Sequence, residues 1–148
     1  MQKTLILFKP DCVQRKLVGT IVQRFEKKGL RLAGLKLVQA SRELAEKHYA
    51  VHKGKPFYES LLGFLTSGPT VALVWEGREA VAVARTLMGP TDGTKAPPAT
   101  IRGDFALSIQ NNLVHGSDSP ENAELEIKLW FKSEELVGWT PAEQGWIG

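Results

Sequence analysis

The densest group of reactive side chains lies between residues 112 and 118, where the sequence reads Asn-Leu-Val-His-Gly-Ser-Asp. His115 follows a short apolar stretch, and Gly116 after it permits the close approach of a backbone or a ligand. We therefore expect the imidazole at a strand-to-helix corner, facing a cleft. Glu126 follows eleven residues later, on a predicted helix that could fold back and hold one ring nitrogen. An isolated histidine near an apolar strand is more often structural, and this potential partner is what favours a chemical role.

The chain lacks the sequence motifs of several enzyme classes. There is no G-x-S-x-G elbow, no H-E-x-x-H pair, no partner cysteine for a thiol protease, and no Walker or protein-kinase glycine-rich loop. Cys12 is the single cysteine, so no intramolecular disulfide can form, and with three histidines a closed cysteine/histidine zinc site is excluded. We interpret Cys12 as a structural thiol. A histidine can instead be the nucleophile itself and form a covalent intermediate.

If the group transferred to such a histidine is a phosphoryl, cations and hydrogen-bond donors must lie near it to bind its oxygens. Lys9 ends the first predicted strand, Arg85 lies on a predicted helix, and Arg102 follows a long loop that contains Thr91. Each of these residues alone would be an ordinary surface group. Together with His115 they supply the residue types that phosphoryl transfer needs.

The apolar pattern predicts four strands with helices between them. Apolar positions at three- and four-residue spacing indicate helices, and short apolar or alternating runs indicate strands. Gly29 is expected to end one helix, and Ser41 and Ser119 to begin two others. The predicted strands cover 3–9, 30–40, 70–75 and 113–115, the helices 13–28, 41–51, 57–66, 78–88 and 119–130, and a loop covers 89–101. This order predicts one domain over 1–148, an α/β fold (an α+β sandwich) of the ferredoxin-like βαββαβ type, in which a four-stranded antiparallel sheet carries helices on one face.

Composition narrows the class of protein further. The chain has 148 residues, 43% of them hydrophobic, which suits one globular domain that needs neither disulfides nor a structural metal. No apolar run is long enough for a signal peptide or a membrane span, so we expect a cytoplasmic protein without membrane association. The pI near 9.1 raises the alternative of a nucleic-acid-binding module. That alternative needs aromatic residues along the exposed strands, and segment 30–40 has none.

The heptapeptide at 112–118 resembles the N-x-x-H-G-S-D signature of the nucleoside diphosphate kinases, a highly specific motif. The similarity extends over essentially the whole chain, through segments that include 8–11, 55–57, 67–69, 75–77, 100–105 and 129–131. The family resemblance implies a two-step exchange in which His115 takes the γ-phosphate of a nucleoside triphosphate and passes it to a nucleoside diphosphate. It also implies Mg²⁺ carried by the nucleotide phosphates, with few or no direct protein ligands.

The resemblance also assigns roles to individual side chains. The nucleotide-binding residues that it implies are Lys9, Phe57, Arg85, Thr91, Arg102 and Asn112. The residues that it implies beside the histidine are Tyr49, Ser117 and Glu126. Phe57 would stack on the base, and stacking without edge-reading hydrogen bonds predicts broad base specificity.

Three departures from the family pattern bear on assembly more than on chemistry. Cys12 replaces a glycine or alanine, segment 91–93 replaces Thr-Asn-Pro, and segment 98–100 replaces Pro-Gly-Thr. Family members use the second and third of these regions at subunit contacts. The tail after Trp130 resembles that of hexameric members, so we expect a homo-hexamer, with a tetramer as the alternative. A family-fold regulator without catalysis remains a third interpretation, which the intact Lys9 and His115 disfavour.

Overall fold

The sheet has four antiparallel strands in the spatial order β2-β3-β1-β4, as seen in a computed structural model that describes residues 1–148. The strands are β1 (Gln2–Phe8), β2 (Arg31–Val38), β3 (Thr70–Gly77) and β4 (Val114–Gly116). β1 pairs with β3 along its whole length, from Gln2 opposite Gly77 to Phe8 opposite Val71. On its other side β1 pairs with β4, where Leu7 lies opposite His115. The predicted ferredoxin-like arrangement is confirmed, and it places His115 beside the central strand.

Eight α-helices connect and cover these strands. They are α1 (Pro10–Gln14), α2 (Val18–Lys28), α3 (Arg42–His48), α4 (Tyr58–Thr66), α5 (Ala80–Met88), α6 (Ile101–Phe105), α7 (Pro120–Trp130) and α8 (Gln144–Ile147). The predicted caps are present: the hydroxyls of Ser41 and Ser119 accept N–H groups in the first turns of α3 and α7, and Gly29 ends α2 at φ 106°. None of these helices is both long and apolar enough to cross a membrane.

Helices cover both faces of the sheet, so the prediction of helices on one face is wrong. Ile6 and Phe8 pack into a core with α2 and α5, whereas Leu5 and Leu7 pack into a second core with α4 and α7. Successive side chains of a strand point to opposite faces. A run of consecutive buried apolar residues such as that in β1 therefore indicates a strand covered on both sides.

The predicted helix over 13–28 is in fact two helices. α1 ends at Gln14 with Arg15 as its C-cap, and Lys16 takes the left-handed conformation with φ 59°. The N–H of Leu17 then donates to the carbonyl of Cys12, and that of Lys16 to the carbonyl of Val13, the two bonds of a Schellman motif. Apolar spacing continues across this break, which is why the pattern reads as one helix. Cys12 is fully buried in α1, and burial raises the pKa of its thiol to about 12.

Two further boundaries differ from the prediction. The helix predicted to reach residue 51 ends at His48, and a 3-10 turn, Ala50–His52, follows. The long loop ends in α6, which the sequence analysis did not predict because five residues are too few to show periodicity. Thr100 caps α6 by accepting the N–H of Gly103, at a point where any side chain on Gly103 would collide with the carbonyl of Pro97.

The tail after α7 returns along β2. The N–H of Val137 donates to the carbonyl of Ala33 at 2.8 Å, and the indole N–H of Trp139 donates to the carbonyl of Leu32 at 2.8 Å. The side chain of Ile147 lies over Gly29, whereas Trp146 is 92% exposed. The tail is therefore docked on the body of the protein for part of its length.

Candidate active site

A cleft of about 770 Å³ brings together nearly all the predicted site residues. It lies between the α3–α4 hairpin on one side and β4, α7 and the segment before β4 on the other. Of the ten predicted residues, only Ser117 does not line it. The nine that do are Lys9, Tyr49, Phe57, Arg85, Thr91, Arg102, Asn112, His115 and Glu126.

His115 and Glu126 form the pair that their spacing predicts. His115 lies on β4 with its ring turned to the sheet face that carries α7, and its Nε2 is 3.0 Å from Oε2 of Glu126. The Ser117 hydroxyl donates to Oε1 of the same carboxylate at 2.6 Å. Burial alone would raise the pKa of Glu126, but the hydrogen bonds from His115 and Ser117 outweigh it and leave that pKa below its usual value. The carboxylate therefore stays charged beside the ring.

Lys9 is a buried cation at the bottom of the cleft. It follows β1 directly, and its Nζ donates to Oδ1 of Asn112 and, at 3.3 Å, to the carbonyl of Gln110. The amide of Asn112 in turn donates to the carbonyl of Thr91 at 3.0 Å. Burial lowers the pKa of Lys9 to about 8, with Asp11 opposing and Arg102 adding to that shift.

Arg102 and Arg85 differ in burial and in the number of their hydrogen bonds to the protein. Arg102 is buried, and its guanidinium donates to three carbonyls, those of Gly89 at 2.8 Å, Val114 at 2.6 Å and Asn112 at 3.3 Å. Burial and then the charge of Arg85 lower the pKa of Arg102 to about 10. Arg85 is exposed and makes one bond, to the carbonyl of Gly116 at 3.3 Å. Arg102 thus ties the loop to β4, a structural duty that the sequence analysis did not predict.

Phe57 and Tyr49 lie on the wall formed by the hairpin. Phe57 is 46% exposed, with the ring of His52 at 5.3 Å and Nζ of Lys55 at 5.8 Å from its centroid. An aromatic face open to a cleft can stack on a planar ring. Burial raises the pKa of Tyr49 to about 12, so its phenol is a neutral hydrogen-bond donor.

His48 is part of the site, and the sequence analysis did not single it out. Its ring centroid lies 4.6 Å from that of His115, with the planes at 79°, and its Nδ1 accepts the indole N–H of Trp130 at 3.2 Å. Its only signal in the sequence is its position next to Tyr49. Burial, followed by the charge of His115, lowers the pKa of His48 to about 3, so the ring is neutral.

One cluster in the cleft has the residue types of a metal site. A ring nitrogen of His48, a ring nitrogen of His115 and an oxygen of Glu126 lie within 4.8 Å of one another. The lone pair on Nδ1 of His48 is taken by Trp130, and the proton of the neutral ring is then on Nε2. Glu126 is likewise taken by His115 and Ser117. The cluster does not fit Mg²⁺, which prefers oxygen ligands and keeps several waters.

Comparisons with known proteins place these observations in a family. The family model described as Nucleoside diphosphate kinase matches residues 2–136. A nucleoside diphosphate kinase from Thermosynechococcus vestitus is 59% identical over 147 residues, covering 99% of this chain and 98% of the relative. One from Carboxydothermus hydrogenoformans is 58% identical over 147 residues, covering 99% of both chains. Among solved structures, a halophilic nucleoside diphosphate kinase from Halobacterium salinarum in complex with CDP superposes with a TM-score of 0.97 at 46% identity, covering 99% of this chain and 98% of that one.

Proposed function

Because the chain belongs to the nucleoside diphosphate kinase family, we propose that His115 carries the phosphoryl group that this phosphotransferase moves between nucleotides. The observation that supports this role is the chain of contacts from Ser117 through Glu126 to Nε2 of His115. With its proton held at Nε2, the neutral ring has its lone pair at Nδ1. Nδ1 is therefore the nucleophile in this proposal.

The transfer takes two steps at one site. In the first step, the Nδ1 lone pair forms a bond to the γ-phosphorus of a nucleoside triphosphate, and the bond from phosphorus to the bridging oxygen breaks, with its electron pair leaving on the diphosphate. In the second step, a terminal oxygen of another nucleoside diphosphate attacks the phosphorus, and the N–P electron pair returns to His115. Glu126 offsets the positive charge that the ring gains when Nδ1 is bonded to phosphorus.

The cations of the cleft bind the phosphates in this proposal. Lys9 is a movable point charge suited to the migrating group, and Arg85 has most of its donors free of protein partners. Three N–H groups of Arg102 donate to backbone carbonyls, so this residue offers the phosphates its charge and its two remaining N–H groups. Thr91 also lines the cleft and can donate its hydroxyl.

Phe57 and Asn112 bind the nucleoside in the same proposal. The half-exposed ring of Phe57 stacks on the base, and Asn112 reaches the sugar hydroxyls from the bottom of the cleft. A stacking contact does not read base edges, so we expect purines and pyrimidines to be accepted. The halobacterial relative was solved with CDP, which supports a nucleoside diphosphate as a ligand.

Mg²⁺ enters with the nucleotide in this proposal. The cleft holds no cage of oxygen ligands, and Mg²⁺ is often bound through substrate phosphates and water with one or two carboxylates at most. When bound, the ion neutralises charge on the phosphates, which eases attack by a lone pair.

The same family membership underlies a proposal about assembly and location. β2 is an edge strand, and it leaves Leu35 51% and Leu37 66% exposed on one face. Together with the exposed Trp146, these apolar groups support a homo-oligomer, for which we propose a hexamer rather than a tetramer. The free thiol of Cys12 suits the reducing cytoplasm, where we place the protein.

A labelling experiment tests the role of His115. Incubation with γ-³²P-labelled ATP and Mg²⁺ should leave acid-labile, base-stable label on the protein, and unlabelled GDP should remove it within one turnover. His115→Ala should take no label, whereas His52→Ala, which removes another histidine that lines the cleft, should keep it. An unlabelled wild type, or full labelling of His115→Ala, would refute the proposal.

A further inference from the structure

Trp130 and His48 form a partly buried contact beside the proposed nucleophile. Trp130 ends α7, the helix that carries Glu126, and His48 ends α3. The indole N–H donates to Nδ1 of His48 at 3.2 Å, and the His48 ring meets the His115 ring edge to face at 4.6 Å. The helices α3 and α7 are therefore joined by one side-chain hydrogen bond, and its acceptor, the His48 ring, packs against the ring of His115.

This hydrogen bond determines the protonation of His48. An indole N–H can only donate, so Nδ1 of His48 must carry a lone pair and Nε2 the proton. A second proton would have to displace Trp130 from Nδ1. Burial also disfavours the charged form and lowers the pKa of His48 to about 3. The charged or titratable groups around the ring are His115 on β4, Glu126 on α7, His52 in the 3-10 turn, Tyr49 and Lys9.

Neutrality at this position matters for the transfer. When Nδ1 of His115 bonds to phosphorus while Nε2 keeps its proton, the His115 ring becomes cationic. Glu126 lies on one side to offset that charge. A protonated His48 on another side, with ring centroids 4.6 Å apart, would repel it and disfavour the covalent intermediate.

We propose that His48 is a positioning residue for phosphoryl transfer, held neutral and in one orientation by the Trp130 indole so that the ring packed against His115 cannot acquire a charge. The inference rests on the proposed role of His115. It gives Trp130 a role in the transfer through His48, although Trp130 does not line the cleft.

The test compares variants by the single-turnover rate at which γ-³²P-labelled ATP phosphorylates the enzyme, between pH 5 and pH 7.5. Trp130→Phe keeps the packing of a ring but removes the donor, and it opens roughly the space of one water beside Nδ1. The ratio of its rate to that of the wild type should fall at least about threefold from pH 7.5 to pH 5, because His48 can now be protonated. Taking the ratio cancels any pH dependence that the two proteins have in common.

The double variant Trp130→Phe/His48→Phe should abolish the pH-dependent fall that Trp130→Phe shows. It has the same altered helix end but no protonatable ring at position 48, so its rate ratio should stay flat over the same range. A single-turnover rate constant refers to folded enzyme only, so a loss of stability in either variant does not mimic the effect. A flat ratio for Trp130→Phe, or the same fall in the double variant, would overturn the proposal.

Nitrogen-15 NMR of the histidine rings gives an independent readout. In the wild type, His48 should appear as a neutral ring protonated at Nε2 down to pH 5, and in Trp130→Phe it should titrate at a higher pH. A wild-type His48 protonated at Nδ1, or one that becomes charged near pH 6, would contradict the inference. If the wild type takes no label on His115 at all, the proposed function itself fails; if it is labelled and the ratios are flat, only the role of His48 fails.

Discussion

Burial lowers the pKa of Lys9, a residue that we propose binds the phosphates. Its folded pKa of about 8 lies below the ordinary value for lysine because the side chain is buried, so it is charged at pH 7 and loses its proton as the pH rises through 8. We expect the dissociation constant for a nucleoside diphosphate to rise about tenfold between pH 7 and pH 9 as this charge is lost. Isothermal titration calorimetry over that range measures the effect.

The matched control is Lys9→Met, which keeps the length of the apolar stem and removes the charge. It should bind more weakly at pH 7 and show little change in affinity up to pH 9. An equally steep pH dependence in Lys9→Met would show that another group is responsible.

The contacts of a site residue could be predicted from the sequence when its partner lies close to it along the chain. Glu126 was paired with His115 because both lie near the β4–α7 turn, and the structure confirms the contact at 3.0 Å. The partners of Arg102 are backbone carbonyls, which no residue pattern reveals. His48 stayed hidden because its partners, Trp130 and His115, lie more than sixty residues away in the sequence.

At the scale of elements, the loop before α6 holds a residue in an unfavourable conformation. Ala99 has φ 79°, in the left-handed region, where a residue with a Cβ costs about 1–2 kcal/mol. Ala99→Gly removes that cost but makes the unfolded chain more flexible, which costs about 0.5–1 kcal/mol, so the free energy of unfolding should rise by up to about 1.5 kcal/mol. Urea denaturation at fixed protein concentration measures the change.

Ala96→Gly is the control for Ala99→Gly. Ala96 lies in the same loop with an ordinary extended backbone, φ −73° and ψ 135°, so glycine there brings only the entropic cost. Its free energy of unfolding should fall by about 0.5–1 kcal/mol. Shifts of the same sign in both variants would mean that strain at Ala99 is not what distinguishes them.

Sequence patterns predicted the long elements and missed the short ones. The caps at Ser41, Ser119 and Gly29 lie where expected because each is decided by a local hydrogen bond or a left-handed turn. α6 and the break at Lys16 involve five residues or fewer, too few for a hydrophobic period to register. Both depend on single backbone conformations that several residue types can adopt.

At the scale of the whole molecule, the tail should contribute both to stability and to assembly. Deleting residues 139–148 removes the hydrogen bond from Trp139 to Leu32 and the cover of Ile147 over Gly29. We expect the free energy of unfolding to fall by about 1–3 kcal/mol, mostly from lost apolar burial. The assembled mass measured by sedimentation velocity should also fall.

Trp146→Ala separates the two effects of that deletion. Trp146 is 92% exposed on the single chain, so its removal should leave the stability of the dissociated chain unchanged while weakening the oligomer. An unchanged sedimentation coefficient in Trp146→Ala and in the deletion would contradict a role of the tail in assembly.

The prediction that helices cover only one face of the sheet was the largest error at this scale. Thr4 to Phe8 are all buried, a run that a strand shows only when both of its faces are covered. The order of strands and helices along the chain says which elements exist, but not on which side of a sheet each crossover passes. Leu5 packs into one core and its neighbour Ile6 into the other, which shows that both faces of the sheet are covered.

The three hydrogen bonds of Arg102 to backbone carbonyls affect how this part of the molecule unfolds locally. The guanidinium donates to carbonyls at the start of the loop (Gly89), just before β4 (Asn112) and within β4 (Val114). Releasing any of these segments leaves a buried charge without partners, so they should detach together or not at all. In native-state hydrogen exchange, the amides of the loop and of the strand that carries His115 would then report one shared opening event, while the pairing of β1 with β3 outlasts it.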